Sequence, residues 1–162
     1  MEIEKLSVLA ISAVMDTITK TLVREHAIFL AVFDQIERVF PRLTSAQEVR
    51  VLSTVVEGLL AGHARTETEL AYVALDHALE EKGKLQRLHQ DRKEIDTHFR
   101  QVQVADSLAE AQRLLKEALA ASREHFRHEE TVVFPMIERV LSGDVLGHFG
   151  EVRIREYSAV AG

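Results

Sequence analysis

The sequence predicts an all-α protein: an up-down-up-down four-helix bundle with an N-terminal extension and a short C-terminal helix or tail. Three observations lead there. Breakers are scarce, with 7 Gly and 2 Pro in 162 residues, and both types cost most inside a helix. Apolar residues recur at alternating three- and four-residue spacings along four long stretches, as they do on the buried face of a helix. Short links between those stretches make antiparallel neighbours the default.

The first helix is expected from about Asp16 to Phe40, with Leu22, Phe29, Phe33, Ile36 and Phe40 inward. Pro41 stops it, because its ring clashes with the preceding turn. The second runs from about Ser45 to Leu79. Ser45 and Glu48 form a capping-box pattern at its start, Val49, Leu52, Val56, Leu59 and Leu70 make its stripe, and Gly83 marks the break beyond it. The third runs from about Lys84 to Val104, with Leu85, Leu88, Ile95, Phe99 and Val102 inward. The fourth runs from about Ser107 to Leu141, capped by Ser107 and Glu110 and ended by Gly143, with Leu108, Ala111, Leu115, Ala118, Val132 and Met136 inward. The domain reading is a packing segment over 1–15, the bundle over 16–142 and a fraying tail over 143–162.

Bulk composition sets the class. Apolar residues make up 46% and charged residues 28%, as in one globular domain. With no Cys, disulfides, iron–sulfur clusters and thiolate zinc sites are excluded. A net charge of -6 without a basic block disfavours binding driven by phosphate neutralisation, so no nucleic-acid partner is expected. No apolar run reaches the ~18 residues of a membrane span. Leu6 to Met15 is apolar, but Glu2 and Glu4 outweigh Lys5 ahead of it, unlike a secretory leader. A cytoplasmic location is the expectation.

Four histidines interrupt the apolar stripes: His26, His63, His89 and His125. Two belong to a His-x-x-x-Glu motif, His63/Glu67 and His125/Glu129. Residues four apart project from one helix face, so each motif stacks an imidazole and a carboxylate toward the bundle interior. Buried carboxylates are costly unless a cation compensates, and no Lys or Arg near the stripes stands out as a partner for both. Metal ions would supply the charge, and imidazole with carboxylate suits iron, manganese or zinc. Each half of the chain reads as a lone His followed by His-x-x-x-Glu, at nearly equal spacing. Such symmetry is how a two-metal centre would be built.

The other histidines serve as controls. His77/Glu81 repeats the motif, but about 21 Å along the axis at ~1.5 Å per residue, and reads as a solvated helix end. His98 falls on the opposite face from His89, His128 is flanked by charge, and His148 lies in the tail.

The chain resembles the hemerythrin-like, or HHE cation-binding, family. The resemblance is carried by Arg24-Glu25-His26, by His63-Ala64-Arg65-Thr66-Glu67 with Tyr72, by His89, and by His125-Phe126-Arg127-His128-Glu129-Glu130 running into Phe134-Pro135. It implies a non-haem di-iron centre with an oxo or hydroxo bridge. His26 and His63 would bind one iron, His89 and His125 the other, with Glu67 and Glu129 bridging. Manganese or zinc are substitutes. Oxygen-carrying relatives have a further His on the third helix where Lys93 stands here. The resemblance then implies an open position on both irons. No residue offers itself as a catalytic acid or base. The leading expectation is a protein that binds or senses O2, NO, a related small ligand or redox state, with a protein partner if it signals. A di-iron enzyme consuming peroxide or NO, or an iron reservoir, are the alternatives.

Overall fold

The computed structural model describes residues 16–73, 75 and 86–160. The N-terminal segment 1–15, the break at Gly83 and the His77/Glu81 pair lie outside the described residues. The described residues are helical apart from short turns, bends and links; among them there is no strand, and no helix is long and apolar enough to cross a membrane.

Helix α1 spans Ile18–Val39, opens on a Thr17 cap and ends in a 3-10 turn, Phe40–Arg42, that carries Pro41. Helix α2 spans Ala46–Thr66, starts on the Ser45/Glu48 capping box and runs on as a π segment, Glu67–Tyr72. Helix α3 spans Gln86–Gln103. Helix α4 begins at Leu108, where Ser107 Oγ accepts the Glu110 N–H at 3.2 Å. It is α-helical to His128, π-helical over Glu129–Val133 and α-helical again over Phe134–Val140. Both serine caps satisfy amides that the first turn leaves free.

The C-terminal region, expected to begin with a short helix and then fray, is helical over a longer stretch. It forms an 18-residue helix, α5, over Gly143–Val160, which packs on α1. Leu146, Gly150 and Arg153 recur at helical spacing and are buried. Gly150 permits the approach: a Cβ there would collide with the backbone carbonyl of Asp16.

The two π segments change which residues face inward. The Val73 N–H reaches back to Thr68 O, and the Phe134 N–H to Glu129 O, five residues each. Each wide turn advances the inward face by one residue. Ala71, Tyr72 and Leu75 are therefore buried where the α-helical period expects Leu70, and Val133 replaces Val132, which is exposed. Leu59 is exposed as well, its place taken by partly buried Leu60.

Two apolar clusters result. One gathers Phe29, Phe33, Phe99, Leu115, Leu119 and Phe126; the other gathers Leu22, Tyr72, Leu88, Phe134, Ile137 and Leu146. On α1, His26 lies between Leu22 of one cluster and Phe29 of the other. The polar layer that contains it separates the two halves of the core.

Candidate metal centre

Three helices deliver four buried donors to one point. His26 comes from the middle of α1, His63 from the last turn of α2, and Glu67 and Glu129 from the first residue of each π segment. Their ligand atoms all lie within 4.8 Å of one another. His26 Nε2 is 2.9 Å from His63 Nε2, 3.5 Å from Glu67 Oε1 and 3.3 Å from Glu129 Oε2. His63 Nε2 is 2.8 Å from Glu67 Oε1. None of the four residues is more than 2% exposed.

The far side of each imidazole fixes what the near side offers. His63 Nδ1–H donates to Glu25 Oε2 at 2.6 Å, and His26 Nδ1–H donates to Glu130 Oε1 at 2.8 Å. An ionised carboxylate only accepts, so both Nδ1 atoms carry hydrogen and both Nε2 atoms turn toward the cluster. Carboxylate partners of this kind orient metal-bound histidines and raise their basicity. Glu25 is held in turn by Arg153 of α5, through Nε at 2.9 Å and Nη2 at 3.1 Å. Burial pushes the Glu25 carboxyl up, but the hydrogen bonds from His63 and Arg153 outweigh it and hold the pKa at about 2.

Without a metal the inner layer has to share protons. Burial alone lowers the pKa of His26; the pull of Glu129 and Glu67 overcomes it and raises the pKa to about 10. Burial likewise opposes ionisation of Glu67, yet His63, His26 and Arg92 together keep its pKa well below the usual carboxylate range. The inner oxygens Glu67 Oε1 and Glu129 Oε2 are buried and have no hydrogen bond of acceptable geometry among the described residues. Two imidazole nitrogens and two under-satisfied carboxylate oxygens are a donor set for a divalent or trivalent cation.

The outer oxygens of the same carboxylates are engaged. Arg92 of α3 donates Nη2 to Glu67 Oε2 and Nη1 to Thr68 Oγ1, the latter at 2.6 Å, and its guanidinium lies over the Tyr72 ring at 4.8 Å. The Tyr72 hydroxyl donates to Glu129 Oε1, which also lies 3.1 Å from His125 Nε2. Burial and the charges of Glu67 and Glu129 push the Tyr72 phenol well above its ordinary pKa, so it stays protonated. Above the layer, the Phe126 ring stacks on His26 with centroids 4.0 Å apart. A cavity of about 300 Å³ opens beside the donors, walled by His63, Glu67, Arg92, Phe99, His125 and Phe126.

Among the residues read from the sequence, His26, His63, Glu67 and Glu129 are brought together, and His125 stands beside Glu129. His89 is not brought in. Its side chain is exposed, because the buried face of α3 runs through Leu88, Ile95, Phe99 and Val102, and the residue after Leu88 is turned about 100° away. No Lys or Arg is expected to serve both carboxylates; among the described residues Arg92 pairs with Glu67 alone. Lys93 is exposed, His98 and His128 are half-buried and His148 is exposed. Sequence reasoning missed Glu25, Glu130, Arg92 and Arg153 as parts of the centre. Glu25 and Glu130 sit beside His26 and Glu129 in sequence, and that adjacency was the available signal.

The family model for the hemerythrin HHE cation binding domain matches residues 17–137. No curated protein and no solved structure matches the chain.

Proposed function

This chain belongs to the hemerythrin HHE cation-binding domain family, and on that premise we propose that it is an iron-binding protein whose buried centre binds or senses O2, NO, a related small ligand or redox state. The observation that carries the reading is the convergence of His26, His63, Glu67 and Glu129, all buried and all within 4.8 Å, beside a cavity of about 300 Å³. Iron would supply reversible ligand binding and one-electron chemistry; manganese or zinc would fill the same donors without necessarily supporting it.

The chain's own residues divide the remaining work. Glu25 and Glu130 orient the imidazoles. Tyr72 and Arg92 donate hydrogen bonds to the outer carboxylate oxygens. Phe99 and Phe126 line the approach with apolar surface, which limits water beside the centre. At about 300 Å³ the cavity lies at the lower end of small-molecule sites, which disfavours a large organic substrate. The reading includes no nucleic acid and no membrane as partners, and a signalling role would require a protein partner.

Rapid mixing of the ferrous protein with O2, NO and peroxide tests it. Stable adducts are expected. Repeated turnover of peroxide or NO would instead identify an enzyme, and rapid loss of iron to a chelator would identify a reservoir.

A further inference from the structure

We propose that this domain holds one metal ion, at His26, His63, Glu67 and Glu129, and that the guanidinium of Arg92 permanently occupies the place of a second. The inference rests on the proposed metal-binding function.

The register of the buried helix faces points to Arg92. The buried face of α1 is Leu22, His26, Phe29, Phe33, Ile36; that of α3 carries Leu88, Ile95, Phe99, Val102. In sequence, Leu22 aligns with Leu88, Phe29 with Ile95, Phe33 with Phe99 and Ile36 with Val102 at one constant offset in numbering. The same offset takes His26 to Arg92. Matching His26 to His89 by residue type breaks that register, and His89 is exposed. In the half of the bundle where a second ion would need an imidazole, the chain supplies a fixed cation.

The outer carboxylate oxygens are already engaged. A second ion would bind the outer oxygens, Glu67 Oε2 and Glu129 Oε1. The first accepts from Arg92, and the second accepts from the Tyr72 hydroxyl. Arg92 is held on three sides, by Glu67, by Thr68 and by the Tyr72 ring. An ion arriving there would share Glu67 Oε2 with a guanidinium, and like charges so close repel.

His125 would be left as the second ion's only imidazole. The Nδ1 atoms of His26 and His63 each hold a carboxylate. His125 Nδ1 is buried without a hydrogen-bond partner among the described residues, and the Asp91 carboxylate is 3.9 Å away. It lacks the orienting contact that metal-bound histidines almost always make. Its Nε2 faces Glu129 Oε1, as a donor to that carboxylate would.

The test is a metal count on the full chain. Metal-free protein is saturated anaerobically with ferrous ion, freed of excess by gel filtration and analysed for iron, then oxidised for EPR. One ion per chain, with the signal of an isolated high-spin ferric ion, is the expected result. Two ions per chain, as a coupled EPR-silent pair, would overturn the inference while leaving the metal-binding reading intact. No bound metal would overturn both. Arg92→His, placed in the register of His26, is expected to raise the count from one to two. A folded Arg92→His protein that still takes one ion would show that Arg92 is not what excludes the second. The wild-type count decides the matter even if that variant fails to fold.

Discussion

Glu25, the residue immediately before His26, accepts the Nδ1 hydrogen of His63 from the neighbouring helix. Its other partner is Arg153 on α5, so the C-terminal helix reaches the centre through two hydrogen-bonded steps. Glu25→Gln keeps the shape but removes the charge that orients His63. The expected outcome is a metal affinity lower by roughly 10–100-fold, the usual effect of losing such a partner, with helicity unchanged. Competition against a chelator measures it. Arg153→Met is expected to act in the same direction.

Acid should destabilise the metal-free protein through the same residue. Glu25 has a folded pKa of about 2 against an ordinary 4.5. Its contribution is therefore complete above about 4.5 and is lost as pH falls toward 2, because the unfolded chain binds the proton first. His26 has the opposite sign. Its pKa is raised from 6.5 to about 10, so its contribution is complete below 6.5 and lost as pH rises through about 10. The urea midpoint of the metal-free protein is expected to fall at both ends. Glu25→Gln should flatten the acid limb, and bound metal should flatten the alkaline limb by taking the proton's place.

Gly150→Ala tests whether α5 is part of the centre. The added Cβ would meet the Asp16 carbonyl, and a backbone clash of this kind costs about 1–3 kcal/mol. The expected result is a lower melting temperature together with weaker metal binding, because Arg153 moves off Glu25. Unchanged metal affinity in a destabilised variant would separate α5 from the site.

Phe126→Ala removes a buried ring that stacks on His26 and packs near Phe29 and Phe33. A loss of about 3–5 kcal/mol is expected, as for other buried aromatic truncations, and chemical denaturation reads it directly. Phe126→Leu should recover much of the stability and less of the metal affinity, since it restores volume without the flat face against the imidazole.

The sequence carried the parts of this molecule that depend on local chemistry. The Ser45/Glu48 box and the Ser107 cap are both formed, and the two His-x-x-x-Glu motifs put Glu67 and Glu129 in the interior because four residues make just over one α-turn. The π turn after each glutamate was not legible, since a 3.6-residue period has no place for one. Extending that period past the glutamates points Leu70 and Val132 inward, in place of Ala71 and Val133. His89 has the chemistry of a ligand, but the register of α3 is set by Leu88, Ile95 and Phe99. Arg92 lies on that stripe, one turn after Leu88, and is hidden by its charge, which at most positions means solvent. The Glu25–Arg153 pair joins helices far apart in sequence, and no local pattern announces such a contact.

The central claim is that His26, His63, Glu67 and Glu129 hold a metal ion. Elemental analysis of purified wild-type protein beside Glu129→Ala, both checked for equal helicity, tests it most directly. Metal bound in the wild type and lost from the variant is the expected result. A folded Glu129→Ala protein that retains the full wild-type metal content would contradict the claim.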